Sequence, residues 1–172
     1  MNELHRVEPE LSISLPFCEL HVHLEGTLEP DTIFDLAERK GMTLPYPNRA
    51  DLVAAYDFAD LGSFLALYYE NLRVLDQESD FEQLAFRYLM RAHRGGVRHA
   101  EVFVDPQAHL LRGIPVEVVL GGVAKGSEAA EKACGITASV IVCILRDQPV
   151  ASAAAMLDDV LNSGVPGRGN RA

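Results

Sequence analysis

The run His21-Val22-His23, followed at once by Leu24-Glu25-Gly26-Thr27-Leu28-Glu29-Pro30, has the residue types and spacing for metal chemistry. It closes a strand-like segment, Phe17 to Leu24. Side chains along a strand alternate between faces, so His21 and His23 point the same way, about 7 Å apart at roughly 3.3 Å per residue. Two imidazoles at that separation can grip one divalent ion between them. By the same alternation Glu25 falls on that face, just beyond the metal. An ion, a water on it and a carboxylate beside it make the outline of a hydrolytic site. The alternation of polar Glu19, His21, His23 and Glu25 with apolar Leu20, Val22 and Leu24 also describes a plain half-exposed strand. A helix following the strand favours a parallel sheet covered on its outer face. Polar residues on the inner face of such a sheet need a reason to be there.

The elements that must position these residues follow from periodicity and punctuation. A helix is expected from Pro30, which suits a first helical turn, with Glu29 and Asp31 at its positive end and Arg39 and Lys40 at its negative end. Ile33, Phe34, Leu36 and Ala37 form its buried stripe, and Gly41 ends it. Tyr46-Pro47-Asn48 reads as a loop. Phe64, Leu65, Tyr68, Leu72 and Leu75, at three- and four-residue steps, predict a second helical stretch. Ser79 with Glu82 predicts a capping box, opening a helix that carries Phe81, Leu84, Ala85, Tyr88 and Leu89 and stops at Gly95-Gly96. Val97 to Val104 is the second strand and ends at Asp105-Pro106. Pro115 opens a further helix towards Ala133. Ile136 to Leu145, nearly all apolar, is expected as a third strand buried on both faces. Pro149 opens a last helix with Met156, Leu157 and Val160. Strands alternating with helices of this length are successive βαβ units. No Gly-x-Gly-x-x-Gly follows the first strand, which argues against a dinucleotide fold. Residues 1–15 read as an irregular lead-in, 16–161 as the organised part, and 162–172 as a disordered or out-of-frame tail.

Composition narrows the partners. The chain has 172 residues, 48% of them apolar, enough for one domain with a core. Its 25 acids against 15 bases leave a net charge of −10, which argues against a nucleic-acid backbone or an anionic membrane as partner. The three cysteines, Cys18, Cys134 and Cys143, form no C-x-x-C pair and fit reduced thiols in a cytoplasm. Cys18 and Cys143 lie within apolar strand runs and are expected as small core fillers. No long apolar segment suggests a membrane span, and no basic stretch leading into an apolar region marks a signal peptide.

With these residues in place, His21 to Pro30 resembles the first metal-binding motif of the adenosine/adenine deaminase family, in the amidohydrolase superfamily. Glutamate at position 25, continued by Thr27-Leu28-Glu29-Pro30, looks more like the adenine branch, since the adenosine branch usually carries aspartate there. Val102-Phe103-Val104-Asp105-Pro106-Gln107, with His109 and Arg112-Gly113, resembles the adenine branch's second-strand signature. Leu61 to Tyr69 resembles the helix that lids the purine pocket. The resemblance runs from about Phe17 to about Leu161.

It implies an α/β fold, the first three βα units of a (β/α)₈ TIM barrel, with a helical insertion after the first strand. Complete barrels of this kind have about 250 residues. It implies zinc held by His21 and His23, and hydrolytic deamination of a purine, adenine to hypoxanthine and ammonia. Zinc would make hydroxide available near neutral pH for attack at purine C6. Glu25 is implied to touch the purine rather than the metal, filling space that a ribose would need. Phe64, Leu65 and Tyr68 are implied as the apolar wall against the ring, though their spacing also describes an ordinary amphipathic helix. Asp105, at the carboxyl end of a strand, is a candidate for the substrate site or a turn former before Pro106; Asp147 is similarly placed. His93, His99 and His109 are not expected to join the site, His109 being a solvated or structural loop residue. The family's other ligands and its acid–base residues have no counterpart here, so a chain of this extent is expected to be inactive alone. Adenosine deamination, another amidohydrolase-type metal hydrolase and a non-enzymatic half-barrel are the alternatives.

Overall fold

The computed structural model describes residues 15–146 and 148–165. The lead-in before Leu15, the end of the tail and Asp147 lie outside the described residues. Strands β1 (Phe17–His23), β2 (Val97–Val104) and β3 (Thr137–Val142) form a parallel sheet in chain order. Between β1 and β2 run a 3₁₀ turn (Leu24–Thr27) and helices α1 (Pro30–Lys40), α2 (Arg49–Ala54), α3 (Leu61–Leu72) and α4 (Glu78–Arg94). Helices α5 (Pro106–Leu110) and α6 (Val116–Cys134) join β2 to β3, and α7 (Val150–Asn162) follows. Parallel neighbours joined through helices are the first units of a β/α barrel, as expected.

Local chemistry sets most element ends. Helix α1 begins at Pro30 and stops at Gly41, whose φ of 62° lets its N–H reach back to the Ala37 and Glu38 carbonyls. Helix α2 was not anticipated: six residues are too few for periodicity to show, and its signal is Asn48, whose side chain accepts the Asp51 N–H. Asp60 caps α3 in the same way through the Ser63 N–H. The capping box expected at Ser79 and Glu82 does not form. Helix α4 starts two residues earlier, with Gln77 at its N-cap, and Asp80 accepts the N–H groups of Asp76 and Gln77. Lys40, at the end of α1, bonds the same carboxylate, so one acid caps α4 and ties α1 to it.

Strand β2 sends Ala100, Val102 and Val104 into the core shared with α4 and α6. The alternate residues Glu101 and Phe103 face the other side, where the histidines lie. Helices α4 and α6 meet along a glycine seam. A Cβ on Gly122 would lie 2.3 Å from the Glu78 carbonyl, and one on Gly126 2.3 Å from that of Glu82. Only a residue without a side chain permits this approach.

Several expectations are corrected. Strand β3 is shorter than Ile136 to Leu145 and not buried on both faces, with Val140 39% exposed; among the described residues it pairs only with β2. Cys18 is exposed, and Cys143 sits half-buried just past the end of β3, so neither is a core filler. Glu19 pairs with Ala100 and Val22 with Val102, so three steps of β1 span two of β2. This irregularity breaks the alternation between Glu19 and the histidines. Asn162 still belongs to α7, and Val165 packs against the core. No helix of the described residues is long and apolar enough to cross a membrane.

Candidate metal centre

His21 and His23 share one face of the sheet, as the alternation predicts. Both rings stack on Phe103, at centroid distances of 4.4 Å for His21 and 5.3 Å for His23, and lie 5.8 Å from each other. The parallel pairing of His23 with Phe103 sets this up. His21 is exposed and the His23 side chain is 42% exposed, so neither ring is buried despite its contact with Phe103. His23 Nδ1 lies 3.2 Å from Asp105 Oδ2. An ionised carboxylate only accepts, so Nδ1 carries the hydrogen and the lone pair is left on Nε2.

Asp105 stands where β2 ends, its side chain only 6% exposed. Oδ2 also accepts the Tyr68 hydroxyl, 2.9 Å away on α3, and the Asp105 backbone N–H donates to Glu25 Oε1 at 2.9 Å. Burial, with the charges of Glu25 and Asp105 added, pushes the Tyr68 phenol far above its ordinary range, so it stays a donor. Burial, with Asp105 behind it, also pushes the Cys143 thiol up. His23, Asp105 and Cys143 each offer a ligand atom within 4.8 Å of the others.

Glu25 does not continue the strand's alternation. The 3₁₀ turn from Leu24 carries it inwards, and its side chain is 1% exposed. Here His109 proves to be neither solvated nor in a loop. It lies on α5, wholly buried, with Nε2 3.3 Å from Glu25 Oε1 and its ring edge-on to Phe81. Arg112 Nη1 stands 3.4 Å from the other ring nitrogen, Nδ1, and its guanidinium is anchored on the carbonyls of Leu72 and Leu75. A guanidinium only donates, so Nδ1 accepts and Nε2–H donates to Glu25. Along the chain His109 and Arg112 are close neighbours after Pro106, but nothing in that spacing places them beside Glu25. Periodicity could not show it, because α5 has only five residues.

Two buried carboxylate oxygens, Glu25 Oε2 and Asp105 Oδ1, have no partner. Buried acceptors in that state call for a donor or a cation. Between Glu25 and α3 lies a cavity of about 20 Å³, bordered by Tyr56, Phe58, Phe64, Tyr68 and Asn71. That is room for a water, not for a heterocycle. Phe64 and Tyr68 border it; Leu65 does not, since successive helical residues point about 100° apart. Of the expected residues, the fold thus brings together His21, His23, Glu25, Tyr68 and Asp105, with Phe64 beside them, and adds His109, Arg112 and Cys143. His93 and His99 remain away, His99 bonding Thr137 and His93 facing Arg98. The donor set fits a divalent ion: two imidazoles on an open face, with acids buried behind them.

Residues 16–162 match the family model described as adenosine deaminase. An adenine deaminase from Streptomyces coelicolor is 51% identical over 144 residues, 84% of this chain and 42% of that protein. The crystal structure of adenine deaminase from Arthrobacter aurescens superposes with a TM-score of 0.86 at 46% identity, covering 91% of this chain and 48% of that one. An amidohydrolase from Burkholderia ambifaria, solved with bound zinc, gives a TM-score of 0.74 at 32% identity, over 92% of this chain and 42% of that one. The chain therefore spans less than half the length of these relatives, and its sheet and helices are those of a partial deaminase barrel. From the histidine strand to the last helix, this chain belongs to the adenosine deaminase family.

Proposed function

We propose that this chain is the metal- and base-binding segment of a zinc-dependent adenine aminohydrolase, which converts adenine to hypoxanthine and ammonia. The observation that carries this reading is Glu25. Its Oε1 is tied down by the Asp105 N–H and His109, while Oε2 is buried without a partner. A ligand with N–H groups, such as the amino group of adenine, satisfies that oxygen. A glutamate also reaches further than an aspartate, into space that a ribose would occupy, which favours the free base over the nucleoside. His21 and His23 would hold the zinc, and Phe64 and Tyr68 would present the apolar face of the pocket. Bound zinc would supply Lewis acidity, which makes a water nucleophilic near neutral pH. The cavity between Glu25 and α3 admits only a water, so an outward shift of α3 belongs to this proposal. The zinc in the Burkholderia amidohydrolase and the names of the adenine deaminase relatives support the reading. Three free thiols suit a reducing compartment, the cytoplasm.

Two imidazoles are fewer protein donors than a catalytic zinc usually has. We therefore expect weak zinc uptake and no release of ammonia from adenine by this chain alone. The test is zinc titration of the whole chain against a chelator, with NMR of the same sample. Zinc uptake should fall in His21→Ala and His23→Ala, and adenine, not adenosine, should move the Glu25 and Tyr68 signals. Uptake unchanged in both variants, or adenosine acting as adenine does, overturns the assignment.

A further inference from the structure

We infer that Asp105 is a positioning residue: it holds His23 as the Nδ1–H tautomer, with the Tyr68 hydroxyl steadying the carboxylate, and so turns the Nε2 lone pair towards the ion. This rests on the reading of His23 as a metal ligand. The geometry carries it. Asp105 Oδ2 accepts from His23 Nδ1 at 3.2 Å and from Tyr68 at 2.9 Å, so this oxygen is already engaged by the protein. The backbone of the same residue is pinned by its N–H on Glu25 Oε1, 2.9 Å away. The carboxylate is thus fixed through its main chain and through its side chain, on a side chain only 6% exposed.

The chemistry gives this arrangement a purpose. A free neutral histidine side chain in water favours the Nε2–H tautomer, which puts a hydrogen on the nitrogen that must bind the metal. A carboxylate at Nδ1 reverses that preference and makes the ring more basic. Tyr68 stands on α3, so the hydrogen bond that steadies Asp105 also spans from the sheet to that helix. The three-atom cluster of His23, Asp105 and Cys143 offers a different use of the same residues, with the metal on the thiol and the carboxylate. In that arrangement Nδ1 would have to give up its hydrogen and turn from Asp105, so the two uses exclude each other.

Long-range ¹H–¹⁵N NMR of the metal-free whole chain, at alkaline pH where imidazoles are neutral, reads the tautomer directly. His23 is identified by its loss in His23→Gln. The wild-type chain should show His23 with hydrogen on Nδ1. Asp105→Ala should move it towards Nε2–H and weaken zinc uptake about 10–100-fold. Asp105→Asn, whose amide oxygen still accepts, should retain much of the wild-type pattern. Tyr68→Phe, which leaves the sheet untouched, should shift the tautomer in the same direction by less. A merely structural role for Asp105 would leave the tautomer of a folded variant unchanged. An Asp105→Ala spectrum with His23 unmoved therefore overturns the inference. So does a thiolate-to-cobalt absorption band on adding Co²⁺ that disappears in Cys143→Ala. If the tautomer responds to Asp105 while zinc moves neither His21 nor His23, the metal reading falls and the orientation of His23 by Asp105 stands.

Discussion

Replacing His109 with leucine tests whether Glu25 is a buried charge held by this histidine. Both side chains are within 1% of full burial, and Glu25 Oε1 has two donors, the Asp105 N–H at 2.9 Å and His109 Nε2 at 3.3 Å. Leucine fills much of the imidazole's volume, so the cavity contribution is small. What is lost is the donor to a buried carboxylate, about 1–3 kcal/mol for an unsatisfied group and more for a charged one. The edge-on contact with Phe81, at 4.8 Å between centroids, is lost as well. Such contacts add about 0.5–1.5 kcal/mol. Together these put the loss at about 3 kcal/mol. The retained Asp105 N–H keeps it from being larger. Urea unfolding followed by far-ultraviolet circular dichroism measures it, since the chain has no tryptophan to report by fluorescence. Adding Glu25→Gln to His109→Leu removes the buried charge and should recover about 1–2 kcal/mol. A His109→Leu chain that loses less than about 1 kcal/mol, or a double variant no better than the single one, refutes the idea that His109 holds a charged Glu25.

The other expectations concern the frame around the site. Gly126→Ala places a methyl 2.3 Å from the Glu82 carbonyl and 2.9 Å from Ala85 Cβ. The gain in helix propensity, about 1 kcal/mol, is outweighed by overpacking of about 1–3 kcal/mol or more, because backbone cannot swing aside. The urea midpoint should fall; an equal or higher midpoint shows that α4 and α6 are not in close contact there. Asp80 should shape the acid limb of stability. Burial raises its carboxyl, but Lys40 and the N–H groups of Asp76 and Gln77 outweigh this and hold it below its ordinary value. The unfolded chain therefore takes up the proton first. Asp80's contribution is complete above the ordinary carboxylate range, near about 4, and drains away as pH falls through the lower folded value. Urea titrations across acid pH should show a shallower loss in Asp80→Asn than in the wild-type chain, and identical slopes would remove Asp80 from the account.

What the chain's order of residues determined by itself is the local part. The period of two set His21 and His23 on one face. Pro30 and Gly41 bounded α1, because these depend on neighbours a few residues away, and the alternation of strands with helices indicated a parallel sheet without fixing its register. The capping of α4 fell to Asp80 rather than Glu82 because the helix begins at Glu78, which puts Asp80 in the first turn beside the Asp76 and Gln77 N–H groups, and Lys40 of α1 bonds the same carboxylate. The site's inner acids are further still from local reach. Glu25 meets Asp105 across 80 positions and His109 across 84. Only the docking of β1 beside β2, with a short helix folded under the strand ends, decides that this glutamate is buried, that His109 faces it, and which nitrogen of His23 is left bare. A hydrogen bond has direction and a reach of about 3 Å, so such pairings are settled by where the strand ends come to rest, and no pattern along the chain encodes that distance.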